Sequence, residues 1–239
     1  MGSRLGIFLL AVLAFVVGAI AQWTGIIYDL FVTYRPDIVF LTRQHMYLVL
    51  VSGSLAILVG IPLGVLLSRP FMRKVSESIM QGLNVGTTIP TLALLALSMS
   101  LLGIGTVPAI FGLFVASLLP IVRNAYAGLL AVPAHLKEAA TGMGMTGQQL
   151  LWRVEVPNAL YVMFAGIRTA LAINVGTAPL AFLIGGGGLG ELIFTGIDLM
   201  ETSMMLSGAI PTALLAVLVD FIIGQAQFWL IPRGVNPLR

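Results

Sequence analysis

PAHLKEAATGMGMTGQQLLWRVEVP, residues 133–157, is the longest polar interval between apolar runs long enough to cross a bilayer. It holds Lys137, Glu138, Arg153 and Glu155 in a chain of which only 9% is charged. Pro133 suits the first turn of a helix, where its missing N–H costs nothing, so 134–143 reads as that helix. Gly142 and Gly144 end it. Thr146 and Gln149 have capping-box spacing, which predicts a second short helix to about Val154, stopped by Pro157. Two short helices with a break between them make a compact knob that another protein can grip.

The rest of the chain fixes where such a knob must sit. With 239 residues, 59% of them hydrophobic, and a mean hydropathy of +1.05, the sequence is that of an all-α integral membrane protein. Without cysteine there is no disulfide and no thiolate chemistry. The net charge of +3 argues against nucleic acid as a partner. Apolar runs at 5–21, 46–68, 79–102, 107–130, 161–184 and 204–231 predict about six transmembrane helices. The first ends in Ala19-Ile20-Ala21, which is also the pattern of a signal-peptide cleavage site; it is read as an uncleaved helix. An aromatic, amphipathic segment with Trp23, Tyr28 and Tyr34 follows, suited to the outer interface.

In the second run Gly53, Gly60 and Gly64 allow close helix approach, and Pro62 predicts a kink. The third is interrupted by Gly86-Thr87-Thr88-Ile89-Pro90 and is expected to be broken there. Gly103-Ile104-Gly105 reads as a tight outer turn. Six spans with both ends inside place Arg4, Arg69, Arg73, Lys74, Lys137, Arg153, Arg233 and Arg239 in the cytoplasm. Only Arg35 and Arg43 fall outside, where Asp29, Asp37, Glu191, Asp198 and Glu201 gather. This positive-inside bias puts the 133–157 knob in the cytoplasm, with the N- and C-termini.

Other motif-like strings carry less. Gly142-x-Gly144-x-x-Gly147 and Gly185-x-Gly187-x-x-Gly190 spell a dinucleotide fingerprint, but neither follows a strand. No G-x-x-x-x-G-K-[ST] is present, so the chain is not its own ATPase. His45 and His135 stand alone, outside any metal-ligand spacing, and read as interfacial or solvated; no metal site and no catalytic group are expected.

Asp220 is the one acidic residue well inside a span. Counted from the cytoplasmic helix ends, it lies at similar depth to Arg123 and Arg168. The three read either as a structural ion network or as an ion relay; arginines at hand favour the former. Asn174, Thr177 and Pro179 interrupt the fifth span and, with Thr88, either bond neighbouring helices or line a pathway. The cluster Gly185-Gly186-Gly187-Gly188-Leu189-Gly190 is a linker or a tight fold at the outer mouth.

Glu138-Ala139-Ala140, three residues, Gly144, nine residues, then Val154-Glu155-Val156-Pro157 resembles the EAA loop of ABC-importer permeases, EAA-x3-G-x9-I-x-L-P. Val154 and Val156 are mild departures. The likeness extends from about Met46 to the C-terminus, best in LVLVSGSLAILVGIPLGVLLSR, NVGTTIPTLALLALSMSLLGIG and GIRTALAINVGTAPLAFLIGGGGLGELIFTGID. These look like type I, MetI-like permeases of the osmoprotectant subgroup, importers of glycine betaine, choline and carnitine. The resemblance implies a permease core at 44–239 with a cytoplasmic coupling loop at 131–160, preceded at 1–43 by one extra N-terminal helix and an external segment.

It also implies that Lys137, Glu138, Ala139, Ala140, Gly142, Gly144 and Pro157 couple to a cytoplasmic ATPase dimer that binds ATP and magnesium. A second permease copy or homologue, and an external binding protein reached through Gly187, Gly188 and Gly190, complete the implied assembly in the bacterial inner membrane. Aromatic residues, 8% of the chain, are scattered and form no cage for a quaternary ammonium; the resemblance puts that cage in the binding protein. The rivals are a stand-alone ion-coupled secondary transporter, for which no inverted repeat is visible, a permease for another small solute such as an amino acid, and a scaffold without transport.

Overall fold

The computed structural model describes residues 23–235 and Gly18. The expected span 5–21 (Gly18 apart) and the charges of Arg4 and Arg239 lie outside the described residues. All the regular elements described are helical.

Residues 23–28 run through a π turn, Asp29–Thr33, into helix α1, Arg35–Leu67. Pro36 in its first turn is where a helix tolerates proline. The helix thus begins well before residue 46 and passes unbroken through 43–44, with Pro62 inside it. After a short 3-10 turn at Pro70–Met72 come α2, Arg73–Gly86, and α3, Thr91–Leu102. They meet at a 100° bend where the Gly86–Pro90 interruption predicted a break. Helix α4 spans Thr106–Leu130, entered through Gly103 and Gly105, both with positive φ.

The knob follows as α5, Ala134–Gly142, and α6, Gly147–Leu150. A π turn at Leu151–Glu155 joins α6 to α7, Val156–Thr177, and a 3-10 segment, Ala178–Ile184, completes that crossing. Helix α8, Gly190–Asp198, was not foreseen; α9 is Thr202–Leu230.

Four continuous helical stretches are long and apolar enough to cross a membrane, and the bent pair α2–α3 makes up to five. With 5–21 set aside, these account for the other expected spans. Helices α1, α4 and α7 form the centre. At Gly64 an added Cβ would lie 2.9 Å from the Val122 carbonyl oxygen, and at Gly60 2.8 Å from Ile121 Cγ2, so α1 can approach α4 only with glycine there. Leu48, Leu95, Leu113, Val175 and Ile184 fill the core toward the Gly185 end, and Ala125, Leu129, Ala159 and Met163 toward the Pro133 end. Helix α9 stands at the side, with 17% of its most apolar stretch buried against 39–50% in the other three.

Candidate coupling loop and intramembrane polar groups

The knob is built by local chemistry. The Gly144 N–H donates to Thr141 O at 2.9 Å and the Met145 N–H to Ala140 O at 3.1 Å, the paired bonds of a Schellman end. That motif needs a left-handed residue, and Gly144 sits at φ +80°. Gly142 is simply the last helical residue. Both capping-box bonds form: Gln149 N–H to Thr146 Oγ1 at 3.3 Å and Thr146 N–H to Gln149 Oε1 at 2.9 Å. Pro157, expected to stop the second helix, instead lies in the first turn of α7. The wider π turn before it carries the chain past the missing N–H, so no break occurs.

The predicted coupling residues divide by face. Glu138, Ala139, Gly142 and Gly144 are exposed, with Met143 71% exposed beside them. Ala140 is buried, and Lys137 turns inward. Lys137 Nζ lies 3.3 Å from Leu129 O, at the end of α4, and 3.5 Å from Glu155 Oε1. The other oxygen of Glu155 accepts from Arg69 Nη1 at 2.7 Å. Arg69 Nε also donates to Val65 O at 3.2 Å, and its Nη2 to Ser68 Oγ at 2.8 Å. A buried carboxylate thus ties α5 and the start of α7 to the end of α1. Sequence reading missed this tie, because Arg69 and Glu155 stand 86 positions apart. A cavity of about 760 Å³ opens beside it, lined among others by Arg69, Arg73, Glu77, Lys137, Gln148 and Glu155.

Within the spans, Arg168 and Asp220 form a two-pronged ion pair: Nε donates to Oδ1, and Nη2 to Oδ2 at 2.5 Å. Arg123 does not join it. It is exposed and makes no ion pair among the described residues. Asn174 is buried and its Nδ2 donates to Ser52 Oγ at 2.9 Å and Ser117 Oγ at 2.8 Å, pinning α7 to α1 and α4. Thr177 bonds its own helix at Ile173 O, Pro179 is buried in the 3-10 segment, and Thr88 bonds Val85 O in the α2–α3 elbow. These four candidates do not form one polar wall.

His45, expected at the interface, is fully buried, with Nε2 3.1 Å from Val175 O. It sits beneath the glycine cluster, whose Gly185, Gly187 and Gly188 all have positive φ. The Gly188 N–H donates to Gln44 Oε1 at 3.1 Å. Gly188 and Gly190 are buried, and a Cβ on Gly190 would run into the Pro179 carbonyl, so of the three only Gly187 is partly open to a partner. A cavity of about 390 Å³ lies there, lined among others by Arg43, Gln44, Tyr47 and Gly187.

Residues 60–233 match the family described as the binding-protein-dependent transport system inner membrane component. The chain belongs to that permease family. Among relatives of this permease is the osmoprotectant import permease protein OsmY of Salmonella typhimurium, 54% identical over 201 residues, 84% of this chain and 85% of that one. The glycine betaine/carnitine/choline transport system permease protein OpuCB of Bacillus subtilis is 39% identical over 87% of this chain and 94% of its own. In solved structures, the permease resembles a chain of the MetNI methionine ABC transporter in an inward-facing form. There the TM-score is 0.75 at 25% identity, covering 84% of this chain and 99% of that one.

Proposed function

We propose that this chain is the membrane-spanning permease subunit of an ATP-driven importer for quaternary-amine osmoprotectants of the betaine, choline and carnitine type. It works with a second permease, an external binding protein and a cytoplasmic ATPase dimer that holds ATP and magnesium. Both termini lie in the cytoplasm of the bacterial inner-membrane assembly. The observation that supports this best is the outward face of α5: Glu138 and Ala139 stand exposed on a short helix whose other face is held to the spans through Lys137, Ala140 and Glu155.

A helix so mounted transmits a push. Closure of the ATPase dimer on ATP moves α5, the Glu155 tie carries that movement to α1 and α7, and the spans turn as bodies to open a passage outward. The binding protein delivers solute near Gly187, and relaxation after hydrolysis releases it inward. The resident chemistry is positional; hydrolysis belongs to the partner subunit.

The test is purification and reconstitution. An affinity-tagged chain taken from its native membrane should bring an ATPase with it, and the complex in liposomes should take up labelled betaine or choline only with ATP and the binding protein. Methionine in the same assay tests the amino-acid reading. Uptake by the chain alone, on an ion gradient without nucleotide, would overturn the proposal.

A further inference from the structure

The Arg168–Asp220 pair is out of place on an ordinary lipid-facing surface. Arg168 is seven residues inside the span that begins at Tyr161 and Asp220 eleven from the end of the span that closes at Ile231, about 10 Å and 16 Å along helices of opposite direction. Both counts put the pair well inside a hydrocarbon layer about 30 Å thick. Yet the two side chains remain 44% and 38% exposed. Two prongs satisfy Nε and Nη2, leaving Nη1 and the outer lone pairs of the carboxylate without a hydrogen-bond partner among the described residues. Hydrocarbon cannot supply one, and intramembrane charges accordingly face protein or water. Gly224, one turn beyond Asp220, leaves the guanidinium uncovered: a Cβ there would rest against it in van der Waals contact, 3.6 Å from Arg168 Cζ.

We propose that the exposed Arg168–Asp220 pair lines the water-filled passage of the transporter and is a contact point for a cationic or zwitterionic solute. This rests on the transport reading above. A paired guanidinium and carboxylate present opposite charges side by side, the complement of a molecule carrying an ammonium and a carboxylate. Water completes the unused hydrogen bonds when no solute is there. The pair exchanges partners with the solute without leaving a lone charge in the membrane, and its two members act oppositely on a solute that is only a cation.

The experiment uses the assembled transporter and two readouts. The chain has no cysteine, so Gly224→Cys gives a single thiol beside an intact ion pair. Its reaction with a charged, membrane-impermeant thiosulfonate applied to both sides is compared with that of Phe221→Cys, on the exposed side of α9. Labelling of Gly224→Cys by the charged reagent supports the inference. Labelling by a lipid-soluble maleimide alone, or by neither reagent, overturns it.

The second readout is the ratio of choline to glycine betaine uptake in Asp220→Asn and Arg168→Gln. Asp220→Asn leaves a positive charge and should lower the ratio about threefold; Arg168→Gln leaves a negative one and should raise it about as much, from the interaction of charges a few ångströms apart in water. A purely structural pair would depress both substrates alike in both variants and leave the ratio unmoved. Failure of wild type to import with ATP would strike the transport reading itself, whereas thiol accessibility is read without any uptake.

Discussion

Replacing Glu155 should loosen the 133–157 loop without unfolding the spans. Its side chain is 8% exposed and its partners Arg69 and Lys137 are 18% and 28% exposed. Removing one member of a buried pair costs about 3–5 kcal/mol, chiefly through the charge left behind. Here the stranded cations retain acceptors: Arg69 has Val65 O and Ser68 Oγ, and Lys137 has Leu129 O. Glu155→Ala should therefore cost about 3 kcal/mol, the low end of that range. Glu155→Gln keeps an acceptor for Arg69 and should cost about 1.5 kcal/mol.

At 1.4 kcal/mol per factor of ten, the alanine variant raises the population of the released loop about a hundredfold. Hydrogen exchange over 134–155 in the assembled complex reads that population directly. Solute imported per ATP hydrolysed reads its consequence, which should fall in the order wild type, Gln, Ala. Exchange unchanged in Glu155→Ala would refute the energetic argument. Faster exchange with an unchanged transport-to-hydrolysis ratio would refute the role given to the tie.

Two other substitutions probe neighbouring claims. Gly144→Val places a β-branched residue at φ +80°, about 1–3 kcal/mol of local strain. Because no atom lies within 4 Å of the added Cβ, the protein should reach the membrane in normal amount while uptake per ATP drops; normal coupled uptake would count against the assignment. Asn174→Leu removes two interhelical bonds, about 0.6 kcal/mol each on average in membranes. It should lower the melting temperature of the solubilised complex by a few degrees with solute preference intact; an altered preference would make Asn174 a pathway residue after all.

What the sequence disclosed follows from how far each interaction reaches along the chain. The capping box and the Gly144 turn are set by residues within a few positions, so they were readable in advance. The Arg168–Asp220 pairing was also anticipated, since a carboxylate inside a span has few possible partners. Arg123 was wrongly grouped with them because a count along a helix gives depth but not direction around the axis. Glu155 had several basic candidates in the loops, and nothing local singled out Arg69. His45 was misplaced because α1 begins at Arg35, which turns that ring under Gly188 instead of toward the interface.

The sharp elbow before α3 has a mechanical corollary. Twelve residues reach about 18 Å, roughly two thirds of the way across the oily layer, and the preceding helix lies nearly at right angles to them. A reach that short predicts a thinner lipid layer beside this corner, so uptake should respond to acyl-chain length, with longer chains bearing on α2 and shorter ones relieving it.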